Sequence, residues 1–161
     1  MNQPPQDQHN PFLPNTLRDL KLLDYVPQVK VSIDGTRVWD PVRKKWVARL
    51  PEELVRLALI LFLKDAYNVS YTRMAVERQT SRQHLRLDLA IYDSHGQVHL
   101  LVECKAPEIP LQNDHIIQIG RYNNDLHAPF VMITNGIHGI AMDLRSGEIL
   151  EKLSICFASY S

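Results

Sequence analysis

Cysteine is scarce in this sequence, with Cys104 and Cys156 the only two residues of this type among 161. Two cysteines cannot provide the cross-links on which small secreted domains depend, and they suit a reducing compartment. The longest apolar stretch, LVRLALILFL, contains Arg56 and is too short to span a bilayer. The N-terminal residues also lack the basic and apolar segments of a secretion signal. We therefore expect a cytoplasmic protein without a membrane-spanning segment.

The chain also lacks an excess of charge of either sign, because 18 basic residues balance 18 acidic ones. The overall field therefore gives no indication of a nucleic-acid partner, although a bound cation can still recruit phosphate locally. The phosphate-binding pattern G-x-x-x-x-G-K-[ST] of ATP-driven motors is absent as well. The remaining composition, 45% hydrophobic and 22% charged residues, is typical of one soluble globular domain.

Composition divides the chain into a short leader and a single domain. Residues 1–20 begin with many Pro, Gln and Asn residues and are predicted to form a disordered leader. Residues 21–161 are predicted to form one domain that starts with a β-hairpin turning at Asp34-Gly35.

Hydrophobic periodicity predicts the order of the remaining elements. A largely buried helix is expected over PEELVRLALILFLKDA, followed by strands at RMAVERQT, RLDLAIYD and VHLLVECK. A second helix is expected between Asn113 and Leu126, and two more strands at FVMITN and GIAMDL. The pattern therefore predicts a mixed α/β domain whose central sheet is covered on both faces.

Three charged residues interrupt strands that are otherwise apolar. Glu103 and Lys105 lie two positions apart on one strand and therefore point to the same face. A hairpin turn at SHGQ pairs residues 87–92 with residues 98–103, which brings Asp88 next to Glu103. Ionised groups in such surroundings must find partners or change their pKa. Two interpretations are open at this point: a structural ion cluster, or a metal site that performs catalysis.

The catalytic interpretation has a definite chemistry. The carboxylates of Asp88 and Glu103, with the backbone carbonyl of Cys104, form an oxygen site of the kind that Mg²⁺ or Mn²⁺ prefers. The Lys105 ammonium beside it would orient an attacking water and offset negative charge on a phosphoryl group. This combination suits the hydrolysis of a phosphodiester.

The arrangement of these residues resembles a known family. Asp88 followed by Glu103-Cys104-Lys105, with helices before and after, resembles the PD-(D/E)XK nuclease signature, although RLD replaces its Pro-Asp. The blocks WDPVRKKWVARLPEELVR, VECKAP, QIGRYN and PFVMITNG, spread over residues 38–143, resemble the N-terminal nuclease domain of type I restriction enzyme R subunits. The resemblance implies a restriction-endonuclease-like α/β fold, with a mixed central sheet flanked by helices.

The resemblance also implies an activity, which is DNA phosphodiester hydrolysis by a metal-activated water with Mg²⁺ or Mn²⁺ as cofactor. Asp88 and Glu103 would bind the metal together with the Cys104 carbonyl, and Lys105 would be catalytic. No covalent enzyme intermediate is expected. A structural ion cluster at the sheet edge is the alternative role for these residues.

Two further positions follow from the helices of the family. A glutamate on the helix before the sheet is expected to approach the metal, and we choose Glu53, with Glu52 as the alternative. QIGRY matches a Gln-x-x-x-Tyr motif, so Gln118 is expected in the active site. Tyr122, four positions later on the same helical face, is expected near the site or the DNA. A simple capping or core-edge role is the alternative for Glu53 and Tyr122.

Two basic residues are candidates for contacts with DNA. Arg86 is predicted to lie on the same strand face as Asp88, where it would contact phosphate or pair with that carboxylate. Lys44 lies in the RKK segment of a predicted hairpin and would contact phosphate or simply be solvated.

The missing motor leaves three possible settings for such a domain: a stand-alone nuclease, a module acting with a motor or methyltransferase subunit, or a relic. A homodimer is plausible because cutting both strands usually needs two active centres. A different function class is also open, namely a catalytically silent module of the same fold that binds nucleic acid or protein in a defence complex.

Overall fold

A computed structural model describes residues 16–79, 86–123 and 126–161 of the chain. Within these ranges, the side chains of residues 77–79, 86, 113, 118, 121 and 122 lie outside the description. The elements in chain order are β1 (Arg37–Asp40), β2 (Lys45–Ala48), α1 (Pro51–Tyr67), β3 (Met74–Gln79), β4 (Arg86–Tyr92), β5 (Val98–Cys104), α2 (Asn113–Tyr122), β6 (Phe130–Thr134), β7 (Gly139–Asp143), β8 (Glu148–Ile149) and α3 (Ser154–Phe157).

Strands β3 to β8 form one six-stranded sheet in which the strands follow their order in the chain. Neighbouring strands are antiparallel except β5 and β6, which are parallel. Parallel neighbours need a long crossover connection, and α2 lies in the one that joins this pair. The mixed sheet with flanking helices confirms the restriction-endonuclease-like α/β fold that the sequence predicts.

The two faces of the sheet are covered by different helices. Side chains alternate along a strand, and the central strands bury apolar residues on both faces. On one face, Leu59 and Leu63 of α1 belong to the larger core cluster. On the other face, Ile116 and Ile119 of α2 belong to the smaller one. Burial on both sides explains why β5 reads as a nearly continuous apolar run.

The first turn of α1 lies close to the carboxyl ends of β5 and β6. Thr134, the last residue of β6, pairs with Cys104, the last residue of β5. In the loop that follows, Gly136 has a φ of +89°, and a Cβ added there would lie 3.0 Å from Cγ2 of Val55 in α1. The ends of both strands and the start of α1 therefore meet at one corner of the domain.

Strands β1 and β2 form a separate hairpin before α1. Its turn lies at residues 41–44, with Lys44 at a φ of +54°, whereas the sequence pattern places the turn at Asp34-Gly35. A turn does occur there, and an isolated bridge between Val31 and Val38 follows from it. The pattern therefore identifies a real turn, but the longer strand pairing uses the next one.

Residues 16–20, which the composition assigns to the leader, pack against the domain. Leu17 is buried and its amide donates to the Gly139 carbonyl at 2.8 Å. Asp19 accepts hydrogen bonds from the amides of Leu153 and Ser154. Residues 16–20 therefore pack on the domain through two apolar residues, Leu17 and Leu20, and through the Asp19 carboxylate. The rest of the predicted leader, residues 1–15, lies outside the described residues.

Across the three described ranges, no helix has the length and apolar character that crossing a membrane requires. This finding agrees with the expectation drawn from the short apolar runs of the sequence.

Candidate active site

The β4–β5 hairpin brings Asp88 beside Glu103, through a register one residue away from the one that the strand count predicts. Pairing residues 87–92 with residues 98–103 would set Asp88 opposite Val102, but a bulge between Ile91 and Tyr92 shifts the pairing by one residue. Leu89 pairs with Val102, so the next positions toward the open end of the hairpin are Asp88 and Glu103. At that point the Cys104 amide donates to Oδ2 of Asp88 at 2.7 Å. This side-chain hydrogen bond holds the Asp88 carboxylate against the end of β5.

Lys105 adds a cation to this pair of carboxylates. Its ammonium forms an ion pair with the Glu103 carboxylate, as expected for side chains two positions apart on one face. The Lys105 amide donates to the Thr134 carbonyl at 2.8 Å, which ties the end of β5 to β6. The Lys105 and Glu103 side chains remain 31% and 19% exposed, so solvent reaches them. We call Asp88, Glu103 and Lys105 the acidic corner.

The acidic corner holds more negative than positive charge. Burial raises the pKa of the Asp88 carboxyl, and the nearby Glu103 carboxylate raises it further. The Cys104 amide and the charges of Lys105 and Arg56 act in the opposite direction, but the shift remains upward. Burial is the largest cause of the shift, so a cation placed close to the desolvated Asp88 carboxylate would stabilise its charged form.

A second group of charges lies between the β1–β2 hairpin and α1, and we call it the arginine network. Asp40 is fully buried, and its Oδ2 accepts from Arg43 Nε at 2.6 Å and from Arg56 Nη1 at 2.9 Å. Glu53 Oε2 accepts from Arg43 Nη2 at 3.3 Å and also pairs with Arg56 Nη2. Two carboxylates and two guanidinium groups thus balance each other.

The arginine network contains residues that the sequence analysis missed. Asp40 and Arg56 are 16 positions apart, and no local pattern pairs them. The available signals were weak: Asp40 precedes a proline, and Arg56 interrupts the apolar run of α1. Arg56 Nε is also buried, with no hydrogen-bond partner among the described residues. A buried arginine in an apolar helix indicates a carboxylate partner elsewhere in the fold.

The arginine network borders the acidic corner. The Arg56 charge lowers the pKa of Asp88 against the dominant effect of burial. Burial raises the pKa of the Cys104 thiol well above its usual value, and the charges of Arg56 and Glu53 also act on it. Cys104 is therefore a protonated core residue and not a nucleophile, as expected for its position on the opposite strand face.

The sequence of this chain matches the model of one protein family. The family model described as the type I restriction enzyme R protein N terminus matches residues 51–154. That range covers well over half of the chain. The chain belongs to this family. No curated protein sequence matches the chain significantly.

The match to the type I restriction enzyme R N-terminal family includes the whole acidic corner. It begins at Pro51 and therefore contains α1 with Glu53, strands β3 to β8, and α2. The β1–β2 hairpin, with Asp40 and Lys44, precedes the matched residues. Only the part of the chain from α1 onward is thus assigned to the family by the comparison.

The structure describes the remaining predicted site residues only in part. The backbones of Gln118 and Tyr122 lie in α2 and that of Arg86 in β4, but their side chains lie outside the described residues. Ile117, which the helical pattern places in the core, is half exposed, while Ile119 is buried. Lys44 is exposed at the hairpin turn. The roles of these four site residues stay predictions.

The donor set of the acidic corner is chemically suited to a hard divalent cation, because two carboxylates compete for one ammonium beside a backbone carbonyl. Among the described residues, no group of three or more His, Cys, Asp or Glu side chains has the arrangement of a metal site. To bind a cation at the corner, a Glu103 oxygen that now contacts Lys105 would have to turn to the cation. Backbone or water oxygens would complete the coordination shell of that cation.

Proposed function

We propose that this domain hydrolyses DNA phosphodiester bonds with Mg²⁺ or Mn²⁺ as cofactor. The observation that carries the proposal is the convergence of Asp88, Glu103 and Lys105 at one end of the β4–β5 hairpin, where Lys105 pairs with Glu103 and the Cys104 amide holds Asp88. Membership of the type I restriction enzyme R N-terminal family supports a nuclease function for this domain.

Each residue of the corner has a role in this proposal. Asp88 and Glu103, with the Cys104 carbonyl, would hold the ion, which when bound supplies Lewis acidity toward a phosphoryl oxygen and a water of lowered pKa. Lys105, released in part from Glu103, would donate a hydrogen bond to the attacking water and offset the charge of the transition state. The Cys104 amide holds the Asp88 carboxylate in place throughout.

Residues around the corner would complete the site. Glu53 would act through the cations it already contacts, Arg43 and Arg56, and Gln118 would face the pocket from α2. Tyr122, Arg86 and Lys44 would contact the DNA.

The decisive experiment is a plasmid-cleavage assay with Mg²⁺ or Mn²⁺ on the unaltered chain and matched variants. Asp88→Asn keeps an acceptor for the Cys104 amide but removes the charge, and Lys105→Met removes the cation. We expect each to lower the cleavage rate by at least about 100-fold, because each removes a charge that acts on the transition state.

Asp93→Asn is the control, since Asp93 lies at the turn of the same hairpin, at the opposite end from Asp88. This variant should cleave like the unaltered chain. Equal cleavage by all four proteins, or cleavage that survives a chelator, would contradict the proposal.

A catalytically silent binding module of the same fold is the second candidate. The ion pair between Glu103 and Lys105 favours it, since that pair is closed without any additional ion. DNA binding without cleavage in every metal, alone or with a motor or methyltransferase subunit, would support this candidate. A homodimer would show as a doubled mass in solution.

A further inference from the structure

The charge of this chain is unevenly distributed, although its total is zero. Residues 30–50 contain six basic residues and two acidic ones, while the rest of the chain contains twelve basic and sixteen acidic residues. We call residues 30–50 the basic hairpin, since they comprise β1, β2 and the turns around them. A local excess of positive charge on a neutral protein points to an anionic partner at that surface.

Both acidic residues of the basic hairpin already accept hydrogen bonds from other residues of the protein. Asp40 is buried in the arginine network. Asp34 accepts from the Ser32 hydroxyl at 2.6 Å and from the Thr36 amide and hydroxyl, and these bonds lower its pKa to about 2. Asp40 therefore pairs with Arg43 and Arg56, and Asp34 is held by Ser32 and Thr36 with a smaller contribution from the charge of Arg37. The exposed cations of the segment are Lys30, Arg37, Lys44, Lys45 and Arg49.

Two of the exposed cations, Lys30 and Arg37, lie beside apolar side chains that face solvent. Trp46 is 37% exposed and packs edge-on against Trp39 at 5.5 Å between ring centroids, and the Lys30 ammonium lies 5.6 Å from its ring. Ile33 is fully exposed. A groove of about 750 Å³ runs beside these residues, with Arg37 in its lining. Cations interleaved with an exposed tryptophan form a surface suited to a nucleic-acid backbone and its sugars.

The basic hairpin is fastened next to the acidic corner. Asp40 and Arg43 connect the hairpin to Arg56 and Glu53 in the first turns of α1. Val55 of the same helix lies against Gly136 in the loop after β6, and the last residue of β6 pairs with Cys104 at the end of β5. The hairpin is therefore a buttressed extension of the domain beside the proposed catalytic residues, and it lies before the residues matched by the family model.

We propose that the basic hairpin binds the backbone of duplex DNA on one side of the acidic corner and so places the scissile phosphate there. This proposal rests on the proposed nuclease function for its substrate. It adds a second contact surface, with Arg37, Lys44 and Lys45 as phosphate ligands. The complementarity of charge decides for DNA, because a protein partner for an apolar groove would not need the five exposed cations that this segment carries.

The test measures the affinity for a DNA duplex of about 30 base pairs by fluorescence anisotropy in EDTA, over a range of salt concentrations. The triple variant Arg37→Gln, Lys44→Gln and Lys45→Gln removes three exposed cations. We expect affinity to fall by at least about tenfold, and the slope of log affinity against log salt to become shallower by about 2 to 3.

A matched control removes the same charge from the other end of α1. Lys64 lies in the last turn of α1, Lys21 lines a groove with Tyr67, and Lys152 precedes the segment capped by Asp19; all three lysines are exposed. The variant Lys21→Gln, Lys64→Gln and Lys152→Gln should retain the slope of the unaltered chain. Equal effects of the two triple variants, or no measurable binding by the unaltered chain, would overturn the proposal and favour a protein partner.

The two proposals fail in distinguishable ways. If the hairpin variant loses binding while no variant or metal gives cleavage, the DNA surface stands and the nuclease function falls. If Asp88→Asn abolishes cleavage while the hairpin variant keeps the salt dependence of the unaltered chain, the nuclease function stands and the hairpin surface falls.

Discussion

Two groups of charges lie side by side in this domain and differ in how completely they are balanced. The arginine network pairs two carboxylates with two guanidinium groups, and its central residue, Asp40, is fully buried. The acidic corner sets Asp88 and Glu103 against Lys105 alone, and solvent reaches part of it.

The pKa shifts of the two central aspartates run in opposite directions. Burial alone would raise the pKa of Asp40, but hydrogen bonds from Arg43 and the charge of Arg56 outweigh it and lower that pKa. For Asp88, burial and the neighbouring Glu103 prevail, so its pKa is raised. In a cluster that only stabilises the fold, the positive and negative charges are expected to be equal in number. A cluster that binds a cation is expected to have more negative than positive charges before the cation binds.

The largest expected effect is a difference in folding stability between variants of Asp40 and variants of Asp88. Asp40→Ala removes the buried carboxylate that pairs with both Arg56 and Arg43 and leaves Glu53 as their remaining carboxylate, so it should lower the free energy of unfolding by about 3–5 kcal/mol. Asp88→Asn removes an unfavourable charge and keeps the acceptor, so the change should stay within about 1 kcal/mol of zero or stabilise the protein. Urea unfolding of both variants checks this, and similar losses would refute the distinction.

A divalent ion should stabilise only the protein with an intact acidic corner. At a concentration about 100-fold above its dissociation constant, an ion that binds the folded state adds about 2.7 kcal/mol to the free energy of unfolding. Thermal melts with and without Mn²⁺ should show this gain in the unaltered chain and in Asp93→Asn. Glu103→Gln should lose it, and a gain that persists in that variant would place the ion elsewhere.

The smallest effect is a difference in pH dependence without metal. Asp88, with its raised folded pKa, contributes stability below its usual value of 3.8, and this contribution is lost as the pH rises through the folded value. Asp40, with its lowered pKa, contributes stability above 3.8 and loses it as the pH falls.

Urea midpoints between about pH 3 and about pH 7 in EDTA check these signs. Relative to the unaltered chain, Asp88→Asn should become more stable as the pH rises, and Asp40→Asn less stable. Two curves with the same sign would show that the clusters do not differ in the proposed way.

Much of the fold could be predicted because local rules decided it. Apolar periodicity located α1, and the Asp93–Gln97 turn placed β4 beside β5. The exact register depends on the bulge between Ile91 and Tyr92, which the turn pattern does not predict and which sets Asp88 opposite Glu103. A one-residue slip would turn every side chain of the strand to the other face. The hairpin turn before α1 was misplaced, because two adjacent turns both had suitable residues and only packing chose between them.

Part of the candidate site could not be predicted. Glu53 was chosen for its position in a helix, but its actual partners, Arg43 and Arg56, depend on where the β1–β2 hairpin docks. His99, which lies in β5 close to a turn, is buried, and its Nε2 lies 2.6 Å from the Cys156 carbonyl oxygen. Both results come from contacts between distant segments, which no local pattern encodes.

The sequence by itself determined the mixed sheet, the two covering helices and the approach of Asp88 to the segment of Glu103 and Lys105, because periodicity and one turn bring these segments together. Only the tertiary structure decided the bulge that sets Asp88 opposite Glu103, the pairing of Asp40 with Arg56 across 16 positions, and the opposite pKa shifts of Asp40 and Asp88. The reason is physical: hydrophobic periodicity is a local property, whereas desolvation and charge balance depend on every segment that packs around a group.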